Sequence, residues 1–97
     1  QRIAQLPDVP TVAEQGFPGF EMTQWYGLNV PANLPQPAIE RLATAAAKAV
    51  REPATLERLA HDAAIAVGST SADYAKFIEA EQKRWKPVIA RAKIKPD

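Results

Sequence analysis

The sequence predicts a helix-rich α/β chain. Two observations carry that prediction. Residues 20–30 alternate apolar and polar with a period of two, and two later segments repeat apolar residues every three or four positions. Proline and glycine punctuate the joins between them.

The chain opens on Leu6-Pro7-Asp8-Val9-Pro10-Thr11-Val12-Ala13-Glu14-Gln15-Gly16. Pro7 and Pro10 fix φ and bias their neighbours away from helix, so an extended, stiff arm is expected. Thr11 stands at an N-cap position, and Glu14 three residues on completes a T-x-x-E capping box. Gly16 is placed to end the turn as a C′ glycine. A loop stiffened this heavily often borders a ligand site. Phe17-Pro18-Gly19 reads as a tight turn.

Phe20, Met22, Tyr26, Leu28 and Val30 share one parity, with Glu21, Thr23 and Asn29 on the other. This is the pattern of a half-buried strand over 20–30, with Trp25 off the apolar parity. Gly27 marks a bulge or a close approach. From Ala32 the period changes. Pro35 and Pro37 suit a first helical turn, and Ile39, Leu42, Ala43, Ala46, Ala49 and Val50 form one stripe, which places a helix at about 37–51. Glu52-Pro53 interrupts it. A second helix is expected over about 54–62, with Leu56, Leu59 and Ala60 inward, and Ala63–Val67 reads as a brief strand. Thr70 with Asp73 opens the last helix, 71–93, whose stripe is Tyr74, Phe77, Ile78, Trp85, Val88, Ile89 and Ala92. Pro87 should bend it, and Ile94–Asp97 should fray.

One strand cannot make a sheet. Its neighbours are expected from a second copy of the chain, by dimerisation or strand exchange, or from further sequence. Ninety-seven residues suit a small domain or part of a larger one, and Gln1 in first place is expected of a chain that begins downstream of its gene's start.

Composition excludes several functions. Twelve basic and 11 acidic residues give a net charge of +1, so there is no overall electrostatic footprint for nucleic acid or anionic membrane. No cysteine is present, which removes disulfides, thiolate metal sites and cysteine nucleophiles. No apolar run approaches the roughly 20 residues of a bilayer span. His61 is the single histidine, and Asp62 beside it should point elsewhere on the helix, so no metal site is expected. Phosphate-cradling glycine loops are missing. Ser69 and Ser71 sit in a turn and a cap without a G-x-S-x-G context, which argues against hydrolysis. No cofactor is called for.

Some residues admit two readings. Glu81 lies on the apolar stripe of the last helix, where a bare carboxylate would cost several kcal/mol. It reads as a structural anchor paired with an arginine or backbone amides, against a ligand-side carboxylate. Tyr26 reads as core packing. Trp25 reads equally as core or as the wall of an apolar pocket. Asp8 reads as the head of an Asx-turn, with cation binding as the alternative. The Thr11 hydroxyl caps a turn; were it to face a cleft, the nearby amides would favour an anion.

Four blocks in order resemble one family. They are LPDVPTVAEQGFPGFE at 6–21, WYGLNVP at 25–31, the proline-led helix with Glu40-Arg41-Leu42, and FIEAEQKRWKPVI at 77–89. Together they resemble the C-terminal third of the Bug-type receptors, the periplasmic solute-binding components of tripartite tricarboxylate transporters. The resemblance covers the entire chain. It implies part of a two-domain, type II periplasmic-binding (flytrap) fold that closes on a small carboxylate. It further implies a grip by backbone amides, hydroxyls and waters, docking on membrane permease subunits, and no catalysis. Asp8, Thr11 and Trp25 are then the positions expected nearest the cleft. The rival from another class is a small helical interaction module using the stripe from Tyr74 to Ile89.

The chain departs from the family pattern in places. Where the family has A-G-T-P, this chain has Ala32-Asn33-Leu34-Pro35, so the threonine cap is lost at Leu34, a change of about 1 kcal/mol. Family glycines are replaced after the second helix, at Ala63 or Ala64, and before Ile94, at Lys93.

Overall fold

A computed structural model describes residues 1–96. A 3₁₀ turn at Ala13–Gln15 precedes three helices, α1 (Gln36–Ala49), α2 (Pro53–His61) and α3 (Ser71–Ala92). All three helices fall within two residues of the positions expected from the apolar stripes. No strand forms among the described residues.

Each helix starts as its sequence dictates. The N-cap of α1 is Pro35 and not Leu34 as expected, and its ring carries no acceptor, so the helix has no side-chain cap. α2 begins at Pro53, also without a side-chain cap. α3 is capped: the Asp73 N–H donates to Thr70 Oγ1 at 3.1 Å, and the Thr70 hydroxyl donates to Asp73 Oδ2 at 2.9 Å. α3 continues through Pro87. Its covered stripe is Tyr74, Ile78, Glu81 and Trp85; beyond it Val88 and Ile89 are exposed. No helix among the described residues is long and apolar enough to cross a membrane.

Two helix ends are left-handed without a glycine. Ala63 has φ 55° and Lys93 φ 53°, both left-handed. In each case two backbone bonds close a Schellman motif: Ala63 N–H to Ala60 and Ala64 N–H to Leu59, then Lys93 N–H to Ala90 and Ile94 N–H to Ile89. Asn33 is left-handed too, with φ 67°. Three left-handed positions are thus filled by residues that carry a Cβ. A left-handed Cβ costs roughly 1–2 kcal/mol, partly offset by the greater unfolded-chain freedom of glycine. Ala63→Gly and Lys93→Gly should each stabilise the preceding helix, by up to about 1 kcal/mol. Helicity by circular dichroism checks this; a drop in either variant would refute it. α3 ends at Ala92, and the Ile94 amide still donates to the Ile89 carbonyl. Asp97 lies outside the described residues.

Other expectations are corrected. The strand over 20–30 has no ladder, because no second strand lies beside it. Tyr26, on its apolar parity and expected in the core, is 88% exposed, whereas Trp25, off that parity, is 40% exposed and faces α3. The brief strand over 63–67 is absent too. Ala63 is consumed by the helix terminus, and Ile65 and Val67 are exposed. The arm before Thr11 is not extended; it makes two consecutive turns, closed by Leu6 N–H to Ile3 and Val9 N–H to Leu6. Pro7 takes the second position of the latter turn, which its fixed φ favours.

Packing is sparse. No described residue is fully buried, and the radius of gyration is 16.9 Å, against about 12–13 Å for a compact chain of this length. Phe17, Phe20, Met22, Tyr26 and Leu28 stand in solvent. Among the described residues several ties cross the chain: the Gln5 side-chain amide donates to the Ala60 carbonyl of α2, residues 25–29 lie on α3, and Gly68 sits beside Val50 and Arg51 at the end of α1.

Candidate functional site

The Thr11 capping box forms as expected and is reciprocal. The Glu14 N–H donates to Thr11 Oγ1 at 3.2 Å, and the Thr11 N–H donates to Glu14 Oε2 at 2.6 Å. Gly16, at φ 100°, ends the turn. Pro18 and Gly19 (φ 79°) then take the second and third places of a turn closed by Phe20 N–H to Phe17, where positive φ requires glycine.

Arg2, unremarked in the sequence, completes this loop. Its Nε donates to both Glu14 carboxylate oxygens, at 3.1 and 3.0 Å, and its Nη1 donates to the Pro7 carbonyl at 2.9 Å. Glu14 thus joins the arm, the cap and the turn. The Arg2 hydrogen bonds first, and then the Thr11 amide, hold its carboxyl down at about 2, from an ordinary 4.5. No local pattern in the sequence marks this pair.

Asp8 makes no side-chain hydrogen bond among the described residues, and the Asx-turn expected of it does not form. The reason is in the sequence: the residue two positions on is Pro10, which has no N–H to donate. A shallow concavity in the arm is lined by Arg2, Ile3, Leu6, Val9 and Thr11, and Asp8 is not part of it.

Trp25 belongs to a separate cluster. Its indole meets Tyr74 and Phe77 of α3 edge to face, with centroids 6.1 and 5.1 Å apart. The Tyr74 hydroxyl donates to Asn29 Oδ1 at 3.2 Å. Gly27 lies between, and any Cβ there would fall 1.9 Å from the Tyr74 hydroxyl oxygen. Gly27 is therefore a close-approach glycine and not a bulge. No hydrogen bond or aromatic contact joins Trp25 to Asp8 or Thr11 in the structure.

Glu81 is an anchor. Trp85 Nε1 donates to it at 2.9 Å, and Arg84 Nη1 lies 3.8 Å away while its guanidinium sits over the Trp85 ring. No group of histidine, cysteine and carboxylates that could hold a metal occurs among the described residues. His61 does not stand apart from Asp62 as expected; the two approach at 3.2 Å, both exposed, across the end of α2.

Comparison with known proteins gives these elements a context. The family described as tripartite tricarboxylate transporter family receptor matches residues 1–94. A UPF0065 protein from the tcbD-tcbE intergenic region of Pseudomonas sp. (strain P51) is 34% identical over 94 residues, covering 96% of this chain and 28% of that protein. A UPF0065 protein from the TAR-I ttuE-ttuC' intergenic region of Agrobacterium vitis is 37% identical, covering 94% and 27%. Protein BugT of Bordetella pertussis is 31% identical, covering 97% and 29%. The chain therefore spans under a third of the length of these relatives. No solved structure matches it. With the match running through the capping box, the Trp25–Pro31 block and all three helices, the chain belongs to the receptor family of the tripartite tricarboxylate transporters.

Proposed function

We propose that this chain forms the C-terminal part of a periplasmic solute receptor. The receptor captures a small organic carboxylate in a type II flytrap fold, of mixed α/β architecture, and delivers it to the permease subunits of its transporter. The observation that carries this reading is family membership over residues 1–94. It is a transport receptor family, so binding without turnover is the corresponding role.

The sparse packing supports the reading. Exposed apolar residues over 20–30 and along the end of α3 are surfaces that the remainder of a two-domain clamp would cover. A strand-exchanged homodimer of the segment would cover part of the same surface, and mass measured against concentration detects it. Asp8, Thr11 and Trp25 are proposed as the positions nearest the cleft. The helical interaction module has no observation of its own in its favour.

The test is a thermal-shift screen of a receptor carrying this segment against citrate, malate, glutamate and benzoate. A ligand present at 100 times its Kd should stabilise the receptor by about 2.7 kcal/mol. Stabilisation by one chemical group of this panel is the expected result. A flat response across all four would overturn the small-carboxylate reading.

A further inference from the structure

We propose that Tyr74 is a positioning residue: it clasps residues 25–29 onto α3 and sets the orientation of the Trp25 indole. That this bears on ligand capture rests on the receptor reading, under which Trp25 lines the cleft. The clasp itself rests on geometry alone.

Three observations meet at Tyr74. Its ring takes the edge-to-face contact with Trp25, and its hydroxyl reaches Asn29, four residues further along the same segment. Between those two contacts its ring covers Gly27. A Cβ on Gly27 would lie 1.9 Å from the hydroxyl oxygen, 2.3 Å from Cζ and 2.8 Å from Cε2. Such distances are far inside ordinary van der Waals contact. Gly27 does not have the positive φ of Gly16, Gly19 and Gly68. Space and not backbone conformation therefore demands glycine here. An aromatic ring is also rigid, so it cannot yield as a lysine tip would; it must leave the site by rotating at χ1.

Phe77, one turn along α3, completes the seat of Trp25 with its own edge-to-face contact at 5.1 Å. The Trp25–Asn29 segment and the first half of α3 are thus one mechanical unit. In a clamp that closes, they would move together and carry the indole with them.

The clasp makes a specific demand on mutants. Glycine at 27 matters only while an aromatic ring occupies position 74. The two substitutions should therefore be non-additive. The measurement is acrylamide quenching of Trp25 in the full 97-residue chain, with Trp85→Phe in the background so that one indole reports. Trp25 is 40% exposed now; Tyr74→Ala or Gly27→Ala should raise its quenching constant about twofold by uncovering the ring. Adding Gly27→Ala to Tyr74→Ala should change nothing further. Tyr74→Phe keeps the ring and should leave quenching near that of the Trp85→Phe parent, while Gly27→Ala in the Tyr74→Phe chain remains disruptive. Equal effects of Gly27→Ala with and without the Tyr74 ring would overturn the proposal, as would unchanged quenching in Tyr74→Ala. No ligand enters this experiment. Its failure leaves solute capture standing, and a ligand panel with no binder leaves the clasp standing.

Discussion

Trp25→Ala is expected to release residues 25–29 from α3. The indole makes two edge-to-face contacts, with Tyr74 at 6.1 Å and Phe77 at 5.1 Å. Such pairs contribute about 0.5–1.5 kcal/mol each beyond the area they bury, so the two together amount to about 1–3 kcal/mol. Little else holds this segment: one hydrogen bond from Tyr74 to Asn29, and no ladder. A local opening of that size should appear as NMR shift changes confined to residues 25–29 and to the Tyr74 and Phe77 rings, whose contacts with the indole are lost. α1 and α2 share no such contact and should keep their shifts. Shift changes spread throughout the chain would mean that Trp25 supports the whole fold and not one attachment.

The second large effect is a pH transition in the Arg2–Glu14 loop. The Glu14 carboxyl is held at about 2, below its ordinary 4.5. A carboxyl whose folded pKa is depressed contributes stability above its unfolded pKa, and that contribution is lost as the pH falls to the folded value. The loop should therefore be fully ordered above about pH 4.5 and loosen between that and about pH 2. NMR titration of the Thr11 amide, which donates to Glu14, should report the low midpoint. Arg2→Ala removes the first cause of the depression and should raise the midpoint toward 4.5. Glu14→Gln should abolish the transition and loosen the loop at neutral pH. An unmodified chain titrating at the ordinary carboxyl value would show that the pair does not hold in solution. Thr11→Ala tests the other half of the box, and loss of that cap should cost about 1 kcal/mol.

These two effects mark what could be read beforehand. The capping box was legible because both partners lie within four residues and the bond pattern is local. The helices were legible because stripes of spacing three and four run through α1 and α3. Gly27 was legible as a close approach, although not what approached it. Arg2 was not legible: nothing in Gln1-Arg2-Ile3 distinguishes a clamp from a solvated surface cation. The Asx-turn expected at Asp8 fails because Pro10, two positions on, has no N–H to donate. The strand over 20–30 was inferred from parity, and parity says which residues share a face without saying what covers it.

Local chemistry in the sequence determined the caps, the prolines that open α1 and α2, and the turn at Pro18-Gly19, because their partners are near neighbours along the chain. The sequence blocks from Leu6 to Ile89 also determined the family. Tertiary structure alone decided that Trp25 and not Tyr26 turns toward α3, that Tyr74 fills the space left by Gly27, and that Arg2 closes on Glu14. The division follows contact range: periodicity and capping act over one helical turn, whereas the Tyr74–Asn29 bond joins residues 45 positions apart.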